Sequence, residues 1–257
     1  MQGIKLLSLI VPAYKQEKTI VKDIENLSEV LSSLSIKYEI IVVIDGFVDK
    51  TYGMIRKQSA SQRTKIKNLR VLGYEKNIGK GFAIKYGVEE AKGDIIGFID
   101  AGMDLDPSEI SIMLNMMDWN SADIVVGSKL HPESKVNYPK IRKILSWGYR
   151  TLTHLLFGFN VRDTQVGLKF FRKKVAKNVF SKIIVKKFAF DIEVLAVAYK
   201  LGYTKIYEAP VKLNFTGAST ITSKSFWRVI YWMLYDTIAV FYRLKILHYY
   251  DKENVKK

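Results

Sequence analysis

Three carboxylates crowd one short run, Asp100-Ala101-Gly-Met-Asp104-Leu-Asp106. It follows an apolar stretch, residues 95–99, that reads as a buried strand. Negative charge gathered at a strand end is costly unless water or a cation neutralises it. Oxygen-only ligands in that setting suit Mg2+ or Mn2+, which accept one or two carboxylates together with substrate phosphates. Asp100 is the first candidate. Asp106, just before Pro107, reads instead as the cap of the next helix. A second chemical feature is Asn77-Ile-Gly79-Lys80-Gly81. Glycines flanking a lysine at a helix start present backbone N–H groups and a cation to phosphate. The Walker A spacing is missing, and no Gly-x-Gly-x-x-Gly follows the first apolar run, which argues against P-loop enzymes and ordinary dinucleotide dehydrogenases.

These residues need elements to hold them. Short apolar runs at 6–11, 38–44, 69–72, 95–99 and 124–126 read as strands. Between them lie helical patterns: Ile20, Ile24, Leu27, Leu31 and Leu34 step by three or four, a weaker candidate starts at Ile55, and residues 82–91 and 110–117 follow. Strands alternating with helices predict an α/β fold with a mostly parallel sheet covered on both faces. Ligands in such sheets bind beyond the carboxyl ends of the strands, so residues 12–17, 45–51 and 100–107 are the ones to inspect. Further along, 139–157 and 191–201 read as helices, 166–171 and 206–215 as strands, and 226–250 as an aromatic-rich tail. No repeat or flexible linker divides the chain.

The 257 residues contain no cysteine, which excludes disulfides, thiolate zinc sites and cysteine nucleophiles. Net charge is +16, unevenly placed. Residues 1–128 hold 16 Lys and Arg against 17 Asp and Glu, whereas 129–257 hold 25 against 8. A polyanion, an anionic membrane surface or a phosphorylated substrate is the kind of partner this implies. No secretory signal stands out, and the late apolar runs fall short of the roughly 20 residues of a membrane span. No transmembrane helix is expected. His131, His154 and His248 read as surface or packing residues.

Taken in order, Val11-Pro12-Ala-Tyr14, Asp45-Gly46 through Asp49 and Thr51, Asn77-x-Gly-Lys80-Gly, the Asp100 segment and Gly127-Ser128-Lys129 resemble family 2 glycosyltransferases of the GT-A (Rossmann-like) fold. Val161-Arg-Asp-Thr-Gln165-Val-Gly167-Leu-Lys169-Phe-Phe-Arg172 and Phe188-Ala-Phe-Asp191-Ile-Glu193 extend the likeness to its polyprenyl- and dolichyl-phosphate hexose synthase branch. The resemblance spans roughly residues 4–220. It implies a catalytic domain over 1–222, with a nucleotide-sugar half (1–128) and an acceptor half (129–222), followed by a membrane-associating amphipathic segment (223–257).

The resemblance also implies roles. Pro12, Tyr14, Gln16, Glu17, Asp45, Asp49, Lys80, Asp100 and Ala101 would hold the nucleotide sugar. Asp100 and Asp104 would hold Mg2+ or Mn2+, and Lys129, Arg142, Ser146, Lys169 and Arg172 the acceptor phosphate. Asp100, Lys129 and Arg142 are the expected catalytic set. The implied reaction moves a hexose from UDP-glucose or GDP-mannose to polyprenyl phosphate with inversion, and 163–169 favours glucose. A soluble transferase acting on polysaccharide or protein is the alternative. The chain departs from the family pattern in five places, the first being Lys15-Gln16 for the Asn-Glu after the tyrosine, with Glu17 one place later. Ile44 stands for the first Asp of Asp-Asp-Gly-Ser, Gly102 for the second carboxylate of Asp-x-Asp, and Lys129 for an arginine. A late arginine near Thr216 is missing, with Lys212 or Lys224 as its candidate substitute. Helices at 139–158 and 226–250 mix basic residues with Trp and Tyr, a makeup suited to lying in a bilayer interface. The expected location is the cytoplasmic face of a membrane, held peripherally. With no recognisable nucleic-acid motif, nucleic acid is not an expected partner.

Overall fold

The computed structural model describes residues 3–61, 64–102, 104–135, 140–159, 161–186, 189–213 and 223–251, with side chains described for all of these except 140–146 and 223–229. Seven strands form one sheet in the order β3-β2-β1-β4-β6-β5-β7: β1 (Leu6–Ala13), β2 (Lys37–Asp45), β3 (Leu69–Tyr74), β4 (Ile95–Ile99), β5 (Ile124–Ser128), β6 (Leu168–Arg172) and β7 (Ile206–Pro210). Only β6 runs against its neighbours, pairing antiparallel with β4 and β5. The expected mostly parallel sheet is what the chain forms.

Alternation along the inner strands explains why both faces are covered. In β2, Ile40, Val42 and Ile44 point into one apolar cluster, and Ile41 and Val43 into the other. On the first face, α1 (Ile20–Ser32), α2 (Thr51–Ala60) and α4 (Ile110–Trp119) pack through Ile24, Leu27, Ile55, Met113 and Leu114. On the second, α3 (Lys80–Glu90), α6 (Lys173–Phe180) and α7 (Phe190–Lys200) pack through Ile84, Val88, Val179 and Leu195. Helices such as α1 and α6 cover the sheet with the stripe their residue spacing dictates, whereas α7 is buried all round from Phe190 to Ala198.

Two differences from the sequence reading have simple causes. Helix α6 escapes it because Lys173 follows β6 with no turn residue between them, so strand runs directly into helix. The last strand stops at Pro210, not at residue 215, because proline offers no N–H to continue the ladder. Leu213 and Lys212 make only isolated bridges, to Leu105 and Lys135.

The late helices are α5 (Lys140–Phe157) and α8 (Ser223–Phe241), the latter prolonged by a π turn over Tyr242–Ile246. Phe157, Val240, Leu244 and Tyr250 belong to the second-face core. The tail is thus built into the body along one side. Its other side bares Tyr231, Trp232, Tyr235, Ile238 and Tyr242, a stripe at helical spacing. Tyr149 of α5 and Thr237 of α8 join the two helices by a 2.8 Å hydrogen bond. No helix among the described residues is long and apolar enough to cross a membrane.

Candidate active site

The parallel strands β1, β2, β4 and β5 end along one edge, where most of the chemically suggestive residues gather. Asp100 is the first residue past β4. Its N–H donates to Gly167 O at 3.0 Å, tying it to the segment entering β6. The carboxylate lies directly on Gly167, where an added Cβ would sit 1.9 Å from Asp100 Oδ2. Only a glycine at 167 allows Asp100 this position.

Lys80 opens α3 after Gly79, whose φ of +126° suits glycine. Its Nζ reaches 2.6 Å from Asp100 Oδ1, and both side chains are partly exposed, at 33% and 44%. Burial works against the Lys80 ammonium, but Asp100 and Asp191 outweigh it and raise its pKa above the ordinary lysine value. Lys80 is therefore a firmly held cation at neutral pH.

Beneath it lies a buried ion pair. Lys169 Nζ donates to Asp191 Oδ1 and, at 2.6 Å, to Val166 O. The Lys169 residue is 0% exposed. Desolvation lowers its pKa despite the Asp191 carboxylate. This corrects the expectation that Lys169 grips an acceptor phosphate, because its ammonium is fully engaged inside the fold. Arg172 is corrected more strongly. Pairing opposite Ile95 puts it at the far end of β4 from Asp100. There it donates to Ala122 O and Met117 O at 2.9 and 2.8 Å, closing the end of α4.

Asp45 is likewise a builder. It is 3% exposed. Its carboxylate accepts from Asn77 Nδ2 at 2.8 Å and from the backbone N–H groups of Ile78 and Gly79 at 2.7 and 3.0 Å. The acid expected to touch the nucleotide instead holds the loop that launches Lys80. Nearby burial, reinforced by the Asp45 charge, raises the Tyr74 hydroxyl pKa.

The remaining nucleotide-sugar candidates occupy the loops after β1 and β2. Pro12 is buried near the end of β1, Tyr14 is exposed, and Lys15 lies 5.3 Å from the Tyr14 ring centre. Gln16 N–H donates to Thr51 Oγ1 at 2.9 Å, and Glu17 accepts from Lys50 N–H at 3.1 Å. Asp49 caps Thr51 N–H at 3.0 Å. Burial opposes the Asp49 charge, but bonds from Thr51 and Glu17 prevail and lower its pKa. Phe47 exposes its ring beside Tyr52, with centroids 4.3 Å apart. Ala101 is half-buried against the first-face core.

Lys129 follows β5 on the same edge, and its N–H donates to Asp163 Oδ2 at 3.0 Å. Arg142 and Ser146 lie on α5, with side chains outside the described residues, as is that of Lys224 on α8. Lys212 pairs with Glu109 at 3.2 Å. Asp104 is exposed and within electrostatic reach of Asp23. Burial raises the Asp23 carboxyl, and Asp104 adds to that rise. Asp106 caps Ser108 N–H at 2.9 Å, as its place before Pro107 implied. Among the described residues no three His, Cys, Asp or Glu form a metal-binding group.

Sequence reasoning left Gly167, Asp191 and Asn77 without roles, although all three lay within its motifs. It missed Tyr149, whose hydroxyl accepts from Gln165 Nε2 at 3.2 Å and so links α5 to the segment under Asp100. Burial raises the Tyr149 pKa to about 12, so it stays protonated.

The strand order and the single reversed β6 define the class of proteins with the GT-A architecture. The model of glycosyl transferase family 2 matches residues 8–180, so the chain belongs to that family and is a glycosyltransferase. A dolichyl-phosphate beta-glucosyltransferase of Trichomonas vaginalis is 32% identical, over 96% of this chain and 77% of its own. The human dolichyl-phosphate beta-glucosyltransferase is also 32% identical, over 95% of this chain and 76% of its own. Among solved structures, mannosyl-3-phosphoglycerate synthase from Rubrobacter xylanophilus has a TM-score of 0.71 at 15% identity, covering 100% of this chain and 78% of its own. Glucosyl-3-phosphoglycerate synthase from Mycobacterium tuberculosis, in complex with Mn2+, UDP and phosphoglyceric acid, has a TM-score of 0.66 at 20% identity, covering 99% and 81%. At such identities these structures bear on the fold alone.

Proposed function

We propose that this protein transfers glucose from UDP-glucose to a polyprenyl phosphate of the dolichyl type, at a membrane surface and with a divalent cation. The observation that carries this is the Asp100–Lys80 pair, seated on Gly167 at the edge where the parallel strands end. The glucosyltransferase relatives supply the choice of sugar and acceptor.

The donor set fits Mg2+ or Mn2+ as a guest of the substrate. Asp100 would offer a carboxylate and Asp104 a second on the adjoining turn. A cation held there would supply charge neutralisation for the departing diphosphate. Everything else falls to side chains. Lys80 counters diphosphate charge, held by Asp45 through the loop and by Asp191 from beneath. Lys129 and Arg142 orient the acceptor phosphate, with Ser146 alongside. The phosphate oxygen is anionic at pH 7, so attack on the anomeric carbon needs no strong base. Its new bond to carbon forms as the bond to diphosphate breaks on the opposite side. Inversion of an α-linked donor gives a β-glucosyl phosphate. The rate then rests on orientation and charge stabilisation.

The acceptor's hydrocarbon tail stays in the bilayer. The bare aromatic stripe of α8, with Trp147 and Leu155 of α5, is the surface proposed to lie in the interface, and the basic second half to meet anionic headgroups.

A screen of UDP- and GDP-hexoses against dolichyl and bacterial-type polyprenyl phosphates tests the reading. UDP-glucose with a polyprenyl phosphate should be the productive pair, and Asp100→Ala should lower transfer by about 100-fold or more. Transfer only to a polysaccharide or protein, or full transfer by Asp100→Ala, would overturn it.

A further inference from the structure

The ammonium of Lys80 sits where a metal ion would meet Asp100. The oxygen it touches at 2.6 Å, Asp100 Oδ1, is buried and has no partner besides this ammonium. The same ammonium lies 5.9 and 5.6 Å from the ring centres of Phe98 and Phe190, and aromatic faces favour a cation. Asp191 stands within electrostatic reach and is occupied by Lys169. Two lysines and two aspartates thus balance at the edge where the parallel strands end.

We infer that Lys80 is a removable plug of the Asp100 cation site, displaced only when a nucleoside diphosphate arrives to receive its charge. The inference rests on the donor reading above and adds an order to binding. A divalent ion entering beside Lys80 would place like charges a few ångströms apart at a partly buried site, where screening is weaker than in water. A diphosphate removes that conflict by giving both cations an anionic partner. Lys80 is the first residue of α3, and its flexible four-carbon stem lets the ammonium shift without moving the helix. Metal and nucleotide therefore strengthen each other's binding by the same factor, as linkage requires. Without nucleotide, the plug keeps the ion out.

The test needs no turnover. Binding of Mn2+ to the full chain is followed by the paramagnetic resonance of the free ion, alone and with UDP or GDP. Wild type should bind Mn2+ about tenfold or more tightly with the diphosphate than without it. Lys80→Met should raise nucleotide-free Mn2+ affinity by about tenfold and erase most of the cooperativity. Lys80→Arg, which keeps the charge, should behave as wild type. Lys85→Met should leave Mn2+ binding unchanged. It removes a cation from the same helix, one whose ammonium bonds Ile183 O at 3.1 Å. Equal nucleotide-free affinity in wild type and Lys80→Met, or a rise matched by Lys85→Met or Lys80→Arg, would overturn the plug. If neither diphosphate binds even with Mn2+ present, both the plug and the donor reading fall. Bound nucleotide with no Lys80 effect sinks the plug alone.

Discussion

Asp100 depends on an atom that is not there. Gly167 has no side chain, and a methyl group in its place would meet the Asp100 carboxylate at 1.9 Å. The clash falls on the far end of a side chain, which can swing away, so the fold should tolerate the change while the site does not. Gly167→Ala is expected to keep a melting temperature within a few degrees of wild type. It should lower transfer by about 100-fold, the scale of loss from an ångström-sized displacement of a positioned group. Calorimetry and a transfer assay on the same preparation check both halves. The same scale shows why a motif residue's type does not fix its partner. Asp45 and Lys169 are the residue types that bind ligands, but their partners lie inside the fold: Asn77 and the 78–79 backbone for one, Asp191 for the other. Residue type reveals capacity for an interaction. Which partner takes it up depends on the neighbours that folding brings.

Among the elements, α8 has two opposed sides with different duties. Val240 and Leu244 pack into the core, and Tyr250 beyond them hydrogen-bonds to buried Glu193 at 2.5 Å. Tyr231, Trp232 and Tyr235 form an aromatic cluster facing outward, with ring centroids 5.6 to 6.4 Å apart. Helical periodicity in the sequence was compatible with either a core helix or an interfacial one, and the structure assigns one side to the core. Substituting the two sides should separate their effects. Trp232→Ser with Tyr235→Ser should reduce partition to anionic vesicles by about tenfold or more with little change in melting temperature. Val240→Ala should cost about 1 to 3 kcal/mol of stability and leave partition intact. Vesicle sedimentation and chemical denaturation distinguish the two. Equal vesicle loss from both would contradict the division.

At the scale of the whole molecule, charge divides unevenly along the chain, yet one sheet holds both parts. Strand β6, from the basic half, is inserted between β4 and β5, so the acidic Asp100 turn and the Gly167 segment meet although they are 67 positions apart. An electropositive second half beside an acidic turn suits a reaction between two anions, since each meets opposite charge. If that half also attracts anionic lipid, binding to phosphatidylserine-containing vesicles should weaken steeply between low and about 0.5 M salt. Residual binding should be carried by the aromatic stripe. Salt-independent partition would leave hydrophobic insertion as the whole attraction.

Sequence alone determined the alternation of strands and helices, the strand ends that matter, the acidic turn and the glycine–lysine loop. Those features are local: period, capping and turn chemistry act over a few neighbouring residues. Tertiary structure alone decided that β6 runs backwards, that Gly167 seats Asp100, that Arg172 faces the wrong end of the sheet, and that Lys80 pairs with Asp100. Each of these joins residues far apart along the chain. Such pairings are selected by the simultaneous burial of both faces of a single sheet, a condition no short window of sequence contains.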